Sequence, residues 1–173
     1  MRVVAGAFKG RRLHAPKGTG TRPTADRVRE ALFSILGDVS GARVLDLYAG
    51  SGALGIEALS RGAASALFVE RDRRALAALR RNLDALGADA EVRSQDALRF
   101  IAQPEGVFDL VFCDPPYDEA SRVAVALSET LPAMLEDDAR IVTESDKRNP
   151  LTLPLPLVVE RTYGHTRIAI HST

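Results

Sequence analysis

The chain is poor in cysteine, has no long apolar run, and carries no acidic residue from its first position to Pro23. A single cysteine, Cys113, excludes a disulfide framework and a cysteine-rich zinc site, and it suits a reducing compartment. No apolar stretch approaches the roughly 18 residues of a membrane-spanning helix. The amino terminus lacks the apolar centre of a secretory signal, so a cytoplasmic location without a membrane partner is expected. The three histidines, His14, His165 and His171, share no metal-ligand spacing, and no metal is expected. Ser51 lies in G-S-G rather than G-x-S-x-G, which leaves no nucleophilic serine to argue for.

At 173 residues, with 46% hydrophobic and 27% charged residues, the chain reads as one soluble domain with room for a small appendage. Its 23 basic and 23 acidic residues cancel to a net charge of zero, which taken whole speaks against a nucleic-acid partner. The cancellation is not local. Residues 1–30 hold eight basic residues against Asp26 and Glu30, a net +6, which leaves −6 for the remainder. The expectation is a basic N-terminal hairpin arm over 1–23 on an acidic domain over 24–173. Phosphate contact by Arg2, Lys9, Arg11, Arg12 and Lys17 is favoured over a merely solvated basic hairpin.

Thr24 precedes a helix whose residues Val28, Ala31, Leu32, Ile35 and Leu36 repeat at helical spacing before Gly37. From Arg43 onward strand and helix alternate. Strands are predicted at 44–47, 66–69, 90–93, 108–113 and 140–143, with helices after the glycine turn at 50–55, over 75–86, over 97–102 and over 123–131. The proline-rich stretch 150–156 reads as a connection, and 158–162 with 167–170 as a terminal hairpin. This alternation predicts an α/β fold, a mainly parallel sheet covered by helices on both faces.

Gly50, Ser51, Gly52 and Gly55 form a G-x-G-x-x-G turn between a strand and a helix, with Glu70 twenty positions beyond the first glycine. Glycines let a ligand approach the backbone, and an acid there accepts hydrogen bonds from ribose hydroxyls. Asp46 in the first strand would repel a pyrophosphate but suits a cation, and Asp96 follows the third strand. Three strand-end acids around one glycine turn describe a pocket for S-adenosylmethionine, whose ammonium, ribose hydroxyls and adenine amine all seek acceptors. Asp96 serves equally as a helix N-cap.

Asp114-Pro115-Pro116-Tyr117 leaves the end of the fourth strand, at the edge where such sheets bind ligands. Two prolines stiffen the loop and so aim Asp114. A carboxylate with a nearby carbonyl, such as that of Pro115, accepts the hydrogens of a conjugated exocyclic amine and drives its nitrogen toward tetrahedral geometry. Tyr117 offers a face on which an extruded base stacks. Arg71, Arg73, Arg74, Arg80 and Arg81 read as the wet face of a helix, and Cys113 as a core residue.

VLDLYAGSGALG (44–55), DPPY (114–117), RVVAGAFKGRRL (2–13), RPTADRVREALF (22–33) and the late TYG turn together resemble the RsmD family, nearly end to end. The glycine and DPPY motifs are shared across amino-methyltransferases of DNA and RNA, whereas the RPT helix and basic leader point to this family. The resemblance implies a class I S-adenosylmethionine-dependent, Rossmann-like methyltransferase sheet with a terminal antiparallel strand and an N-terminal hairpin. It implies methylation of a guanine N2 in 16S ribosomal RNA, guanine 966 in that RNA, within a small-subunit particle and by a monomer. Asp46, Gly50, Ser51, Gly52, Glu70 and Asp96 would then hold the cofactor, and Asp114, Pro115 and Tyr117 the guanine. Arg22 and Thr24 are candidates for the methionine end of the cofactor. Tyr48 departs from the phenylalanine more usual in the family. On the residues alone, adenine-N6 methylation of DNA and a nicotinamide-dependent oxidoreductase stay open as alternatives.

Overall fold

The computed structural model describes residues 1–15 and 26–173. Residues 26–36 form α1 (Asp26–Leu36), after which β1 (Arg43–Leu47), α2 (Ala53–Ser60), β2 (Ser65–Glu70), α3 (Arg73–Leu86) and β3 (Glu91–Ser94) follow in alternation. The second half supplies α4 (Ala97–Ala102), β4 (Phe108–Cys113), α5 (Ala120–Met134), β5 (Leu135–Asp146), β6 (Leu157–Tyr163) and β7 (Thr166–Ser172). The seven strands make one sheet in the order β3-β2-β1-β4-β5-β7-β6, with β1 to β5 parallel and β7 antiparallel to both its neighbours. This is the expected class I sheet. The chain reverses direction of build between β1 and β4, the crevice where open α/β sheets take their ligands.

Strand alternation sorts the core into two layers. Val44, Phe68, Leu110, Phe112 and Val142 face α1, α2 and α3, while Leu45, Leu47, Val69, Val111 and Ile141 face α4 and α5. Asp72 caps α3 through Arg74 and Ala75 N–H, and Gly87 ends it in a left-handed conformation. Leu151 and Leu153 of the connection 150–156 cover the second layer.

Residues 1–15 fold back as the expected hairpin, with an antiparallel bridge between Arg2 and Arg12. Val3 and Leu13 are buried in the first core layer. The expected boundary near residue 23, along with Lys17, Arg22 and Thr24, lies outside the described residues. The helical face of α1 differs from the expected one. Arg29, Leu32, Phe33 and Leu36 are buried, and Ile35 is exposed.

Burial of Arg29 explains the rotation. Arg29 and Glu57 are both fully buried and pair at 3.4 Å. Glu57 also accepts from Val4 N–H at 2.8 Å and Ala5 N–H at 3.0 Å and pairs with Arg61 at 2.9 Å. Arg29 in turn donates to the Arg2 carbonyl and to Asp26 at 3.0 Å. A charge so enclosed is tolerated only while its partners hold. Arg29→Met should therefore cost about 3 kcal/mol in urea denaturation, with faster hydrogen exchange at the Val4 and Ala5 amides. Unchanged stability and protection would show that the pair does not anchor the hairpin.

Candidate active site

The carboxyl-terminal ends of the parallel strands gather the acids and the two loops that the sequence singles out. Asp46 lies one residue from the end of β1 with its carboxylate turned toward α2, where Oδ2 accepts from Gly55 N–H at 2.9 Å. No side chain fits on Gly55, since a Cβ there would stand 2.4 Å from the Phe68 ring and 3.1 Å from Asp46. Gly52, in a left-handed conformation at the start of α2, is likewise closed off by Leu79, at 2.4 Å from a notional Cβ. Gly50 is different. It is also left-handed, but nothing except the Tyr48 carbonyl, at 4.0 Å, approaches its missing side chain. Two glycines of the turn thus serve packing, and the first faces open space.

Glu70 ends β2 and ties the turn down. Its Oε2 accepts from Gly50 N–H at 2.8 Å, and its Oε1 accepts from Arg71 and Asp72 N–H at 2.7 Å each. Ser51 is buried, and its carbonyl accepts from Asn82 of α3 at 2.9 Å. The same Asn82 exchanges hydrogen bonds with the His14 backbone, at 2.8 and 3.0 Å. The hairpin is therefore stitched to the glycine turn through one amide side chain, a link that no sequence spacing announces.

Asp96 caps α4 by accepting from Arg99 N–H at 3.2 Å. Its other oxygen pairs with Arg71 at 2.6 Å, and Arg71 also pairs with Glu119 at 2.6 Å. Arg71, expected on the wet face of a helix, instead precedes α3 and is engaged in these pairs; Arg73, Arg74, Arg80 and Arg81 are exposed on the helix as expected. Because Arg71 follows Glu70 directly, its side chain spans the rim from the end of β2, joining the start of α4 on one side to the start of α5 on the other. Tyr48, left-handed at φ 59°, donates to Glu119 at 3.2 Å. A phenylalanine there could not make this bond.

The DPPY loop leaves β4 beside the same crevice. Cys113 is buried. Asp114 is partly buried, Pro115 is buried, and Tyr117 is half exposed. Glu119 N–H donates to the Pro116 carbonyl at 2.9 Å, turning the loop into α5. Burial, reinforced by the charges of Glu144 and Asp46, holds the Asp114 carboxyl well above the usual carboxylate range. Burial likewise pushes Asp46 up to about 7, opposed by the Gly55 hydrogen bond and aided by the charge of Glu70. Several acids compete here to remain ionised, which is the electrostatic setting that a cationic ligand relieves. Arg2, Lys9, Arg11 and Arg12 are exposed on the hairpin, with Arg2 donating to Gly10 and Arg11 to Ala85. Among the described residues no cluster of metal-binding side chains occurs.

Fold and site together define a methyltransferase of the class I type. The family model described as Conserved hypothetical protein 95 matches residues 1–172, and the chain belongs to this family, the RsmD family. The Ribosomal RNA small subunit methyltransferase D of Escherichia coli K12 is 43% identical over 162 residues, covering 89% of this chain and 79% of that protein. The Haemophilus influenzae protein of the same name is 38% identical over 174 residues, covering 95% and 89%. The solved structure of yhhF from Escherichia coli matches with a TM-score of 0.87 at 37% identity, covering 99% of this chain and 97% of that one. RsmC of T. thermophilus, a 16S rRNA N2 G1207 methyltransferase solved with AdoMet and guanosine, shares the fold with a TM-score of 0.70 at 24% identity, covering 91% of this chain and 44% of that one.

The raised carboxyl of Asp46 has a consequence for stability. The folded state holds its proton up to about pH 7 and the unfolded chain only to about pH 4. Its contribution is thus fully present below pH 4 and is lost as pH rises through 7. Asp46→Asn should match the parent near pH 4 and exceed it near pH 8 by at most roughly 4 kcal/mol, read as urea midpoints. Parallel pH profiles for the two proteins would refute the assignment.

Proposed function

We propose that the chain methylates the exocyclic N2 of a guanine in 16S ribosomal RNA, using S-adenosylmethionine, as a monomer acting on a small-subunit assembly particle in the cytoplasm. The observation that carries this reading is the convergence of the DPPY loop and three strand-end acids on one crevice of the sheet. The relatives that bear a ribosomal RNA name support the substrate.

The residues fit that cofactor by charge and by shape. Open space over Gly50 gives a polar ligand access to the backbone of the turn. Glu70 would take the ribose, since its Oε2 keeps lone-pair capacity beyond the Gly50 bond. Asp96 would take the adenine amine, and Asp46, buried beneath the turn, would favour the cationic end through its field. When bound, S-adenosylmethionine supplies a methyl group on a positively charged sulfur that departs with the bonding pair. Asp114 accepts an amine hydrogen of the target base and so frees the nitrogen lone pair from the ring. Its raised basicity strengthens that acceptance. The Pro115 carbonyl accepts the second hydrogen, and the two prolines hold both acceptors in one geometry. Tyr117 presents its half-exposed ring to the base once it leaves the RNA stack. No covalent enzyme intermediate is needed.

Asp114→Asn should lower methyl transfer to unmodified small ribosomal subunits by roughly 100-fold or more while calorimetry finds S-adenosylmethionine binding unchanged. Retained turnover would remove Asp114 from the chemistry, and methylation of duplex DNA by the parent instead would overturn the substrate. Five phosphate contacts from Arg2, Lys9, Arg11, Arg12 and Lys17 give an expected salt slope of about −3.5. Replacing Lys9, Arg11 and Arg12 together by alanine should raise the KM for RNA and flatten that slope by about 2. An unchanged slope would mean that the hairpin is only solvated.

A further inference from the structure

A second basic element stands on the far side of the crevice from the hairpin, at the turn that ends β5. Asp146 folds this turn by accepting Arg148 N–H on its carboxylate at 2.7 Å and Asn149 N–H on its carbonyl at 3.0 Å. Lys147 fastens it to the β6–β7 turn, donating its N–H to the His165 carbonyl at 2.9 Å and its Nζ to the Gly164 carbonyl at 3.0 Å. Asn149 fastens it to the DPPY loop, its side-chain amide donating to the Tyr117 carbonyl at 3.2 Å. Three separate loops are thereby joined into one rim beside the ring on which the base would stack.

Arg148 projects from this rim. It is exposed, and among the described residues its guanidinium makes no hydrogen bond and no ion pair. Two other arginines of the rim are by contrast engaged, Arg71 with Asp96 and Glu119, and Arg167 with Glu160. Asp146, the nearest acid in sequence, spends a carboxylate oxygen on the turn backbone. Asp118, exposed beside Tyr117, is the one acid of the DPPY loop turned to solvent.

We propose that Arg148 binds a backbone phosphate next to the extruded nucleotide, so that the RNA strand is gripped on both sides of Tyr117, by Arg148 on one and the hairpin on the other. This rests on the RNA-methyltransferase reading above. A phosphate contact fixes register without reading sequence. A guanidinium suits it because its planar fork pairs with two oxygens at once. The rigidity of the turn means that little conformational freedom is lost when the contact forms. Arg148 is on this account a positioning residue and touches no reacting atom.

The test compares the full chain with Arg148→Ala and Arg148→Lys, using unmodified small ribosomal subunits in a binding titration at several salt concentrations and in methylation assays. Arg148→Ala should weaken RNA binding by roughly fivefold, the upper end for an exposed ion pair. It should also flatten the salt slope by about 0.7, raise KM with kcat nearly unchanged, and leave S-adenosylmethionine binding as it was. Arg148→Lys should restore the slope and only part of the affinity. An alanine variant with the parent's slope and affinity overturns the contact. If the parent binds the subunits but transfers no methyl group to their RNA, the substrate reading fails, while the phosphate contact still stands or falls by the slope.

Discussion

A buried carboxylate sets the terms for the amino-terminal half of the molecule. Glu57 has no access to solvent, so every one of its lone pairs must be met from within the protein, and the donors come from Arg29, Arg61 and the Val4 and Ala5 amides. Those donors belong to the hairpin, to α1 and to the residue that follows α2. The eight residues of α2 carry Gly55 against Asp46 two positions, about half a turn, before they carry Glu57 against the hairpin. The glycine turn and the basic hairpin are thus opposite faces of one short helix. Asn82 adds a second tie between them through Ser51 and His14.

The zero net charge of the chain conceals an arrangement with two poles. One pole is the carboxylate-lined crevice, to which Asp46, Glu70, Asp96, Asp114, Glu119 and Glu144 come from different elements, and where burial together with neighbouring acids raises the carboxyls of Asp46 and Asp114. Arg71 offsets part of this accumulation by joining Asp96 to Glu119 across the rim. The other pole is the set of exposed cations on the hairpin and on the β5 turn. On the proposed reading a cofactor of positive charge is drawn to the first pole and a polyanionic strand to the second, and the two would meet at Tyr117.

Much of this was legible in the sequence because it rests on local rules. Buried apolar runs marked β1, β2 and β4, the acidic residues fell at strand ends, and Gly37 and Gly87 closed their helices. β5 was legible only over 140–143 because Glu136, Asp137 and Asp138 disguise its start, and Asp138 takes a left-handed conformation where the pairing with β4 shifts register. The face of α1 was misjudged because an arginine occupies a core position. Its partner Glu57 lies 28 residues away and cannot be paired with it by spacing. One signal was available: Arg29, Phe33 and Leu36 share a helical stripe, and Glu57 is the lone acid in an otherwise apolar segment. Arg71 and Asn149 escaped for a similar reason, since their partners are set by the order of strands in the sheet and not by the order of residues in the chain.

The bonds from Glu70 to the glycine turn bear on how the crevice meets its ligand. Gly50, Arg71 and Asp72 have their N–H groups satisfied by one carboxylate, so bonds within the protein define the shape of the turn. The entropic cost of ordering this stretch is met during folding and is not charged again at binding. If Glu70 and Asp96 hold the cofactor as proposed, such a pocket is preorganised: differences in affinity among adenosine-bearing ligands would reflect the groups they present to these acids, and not the work of shaping the loop. Substrate and spent cofactor, which differ at the sulfur and its methyl group, would then encounter the same adenosine cradle.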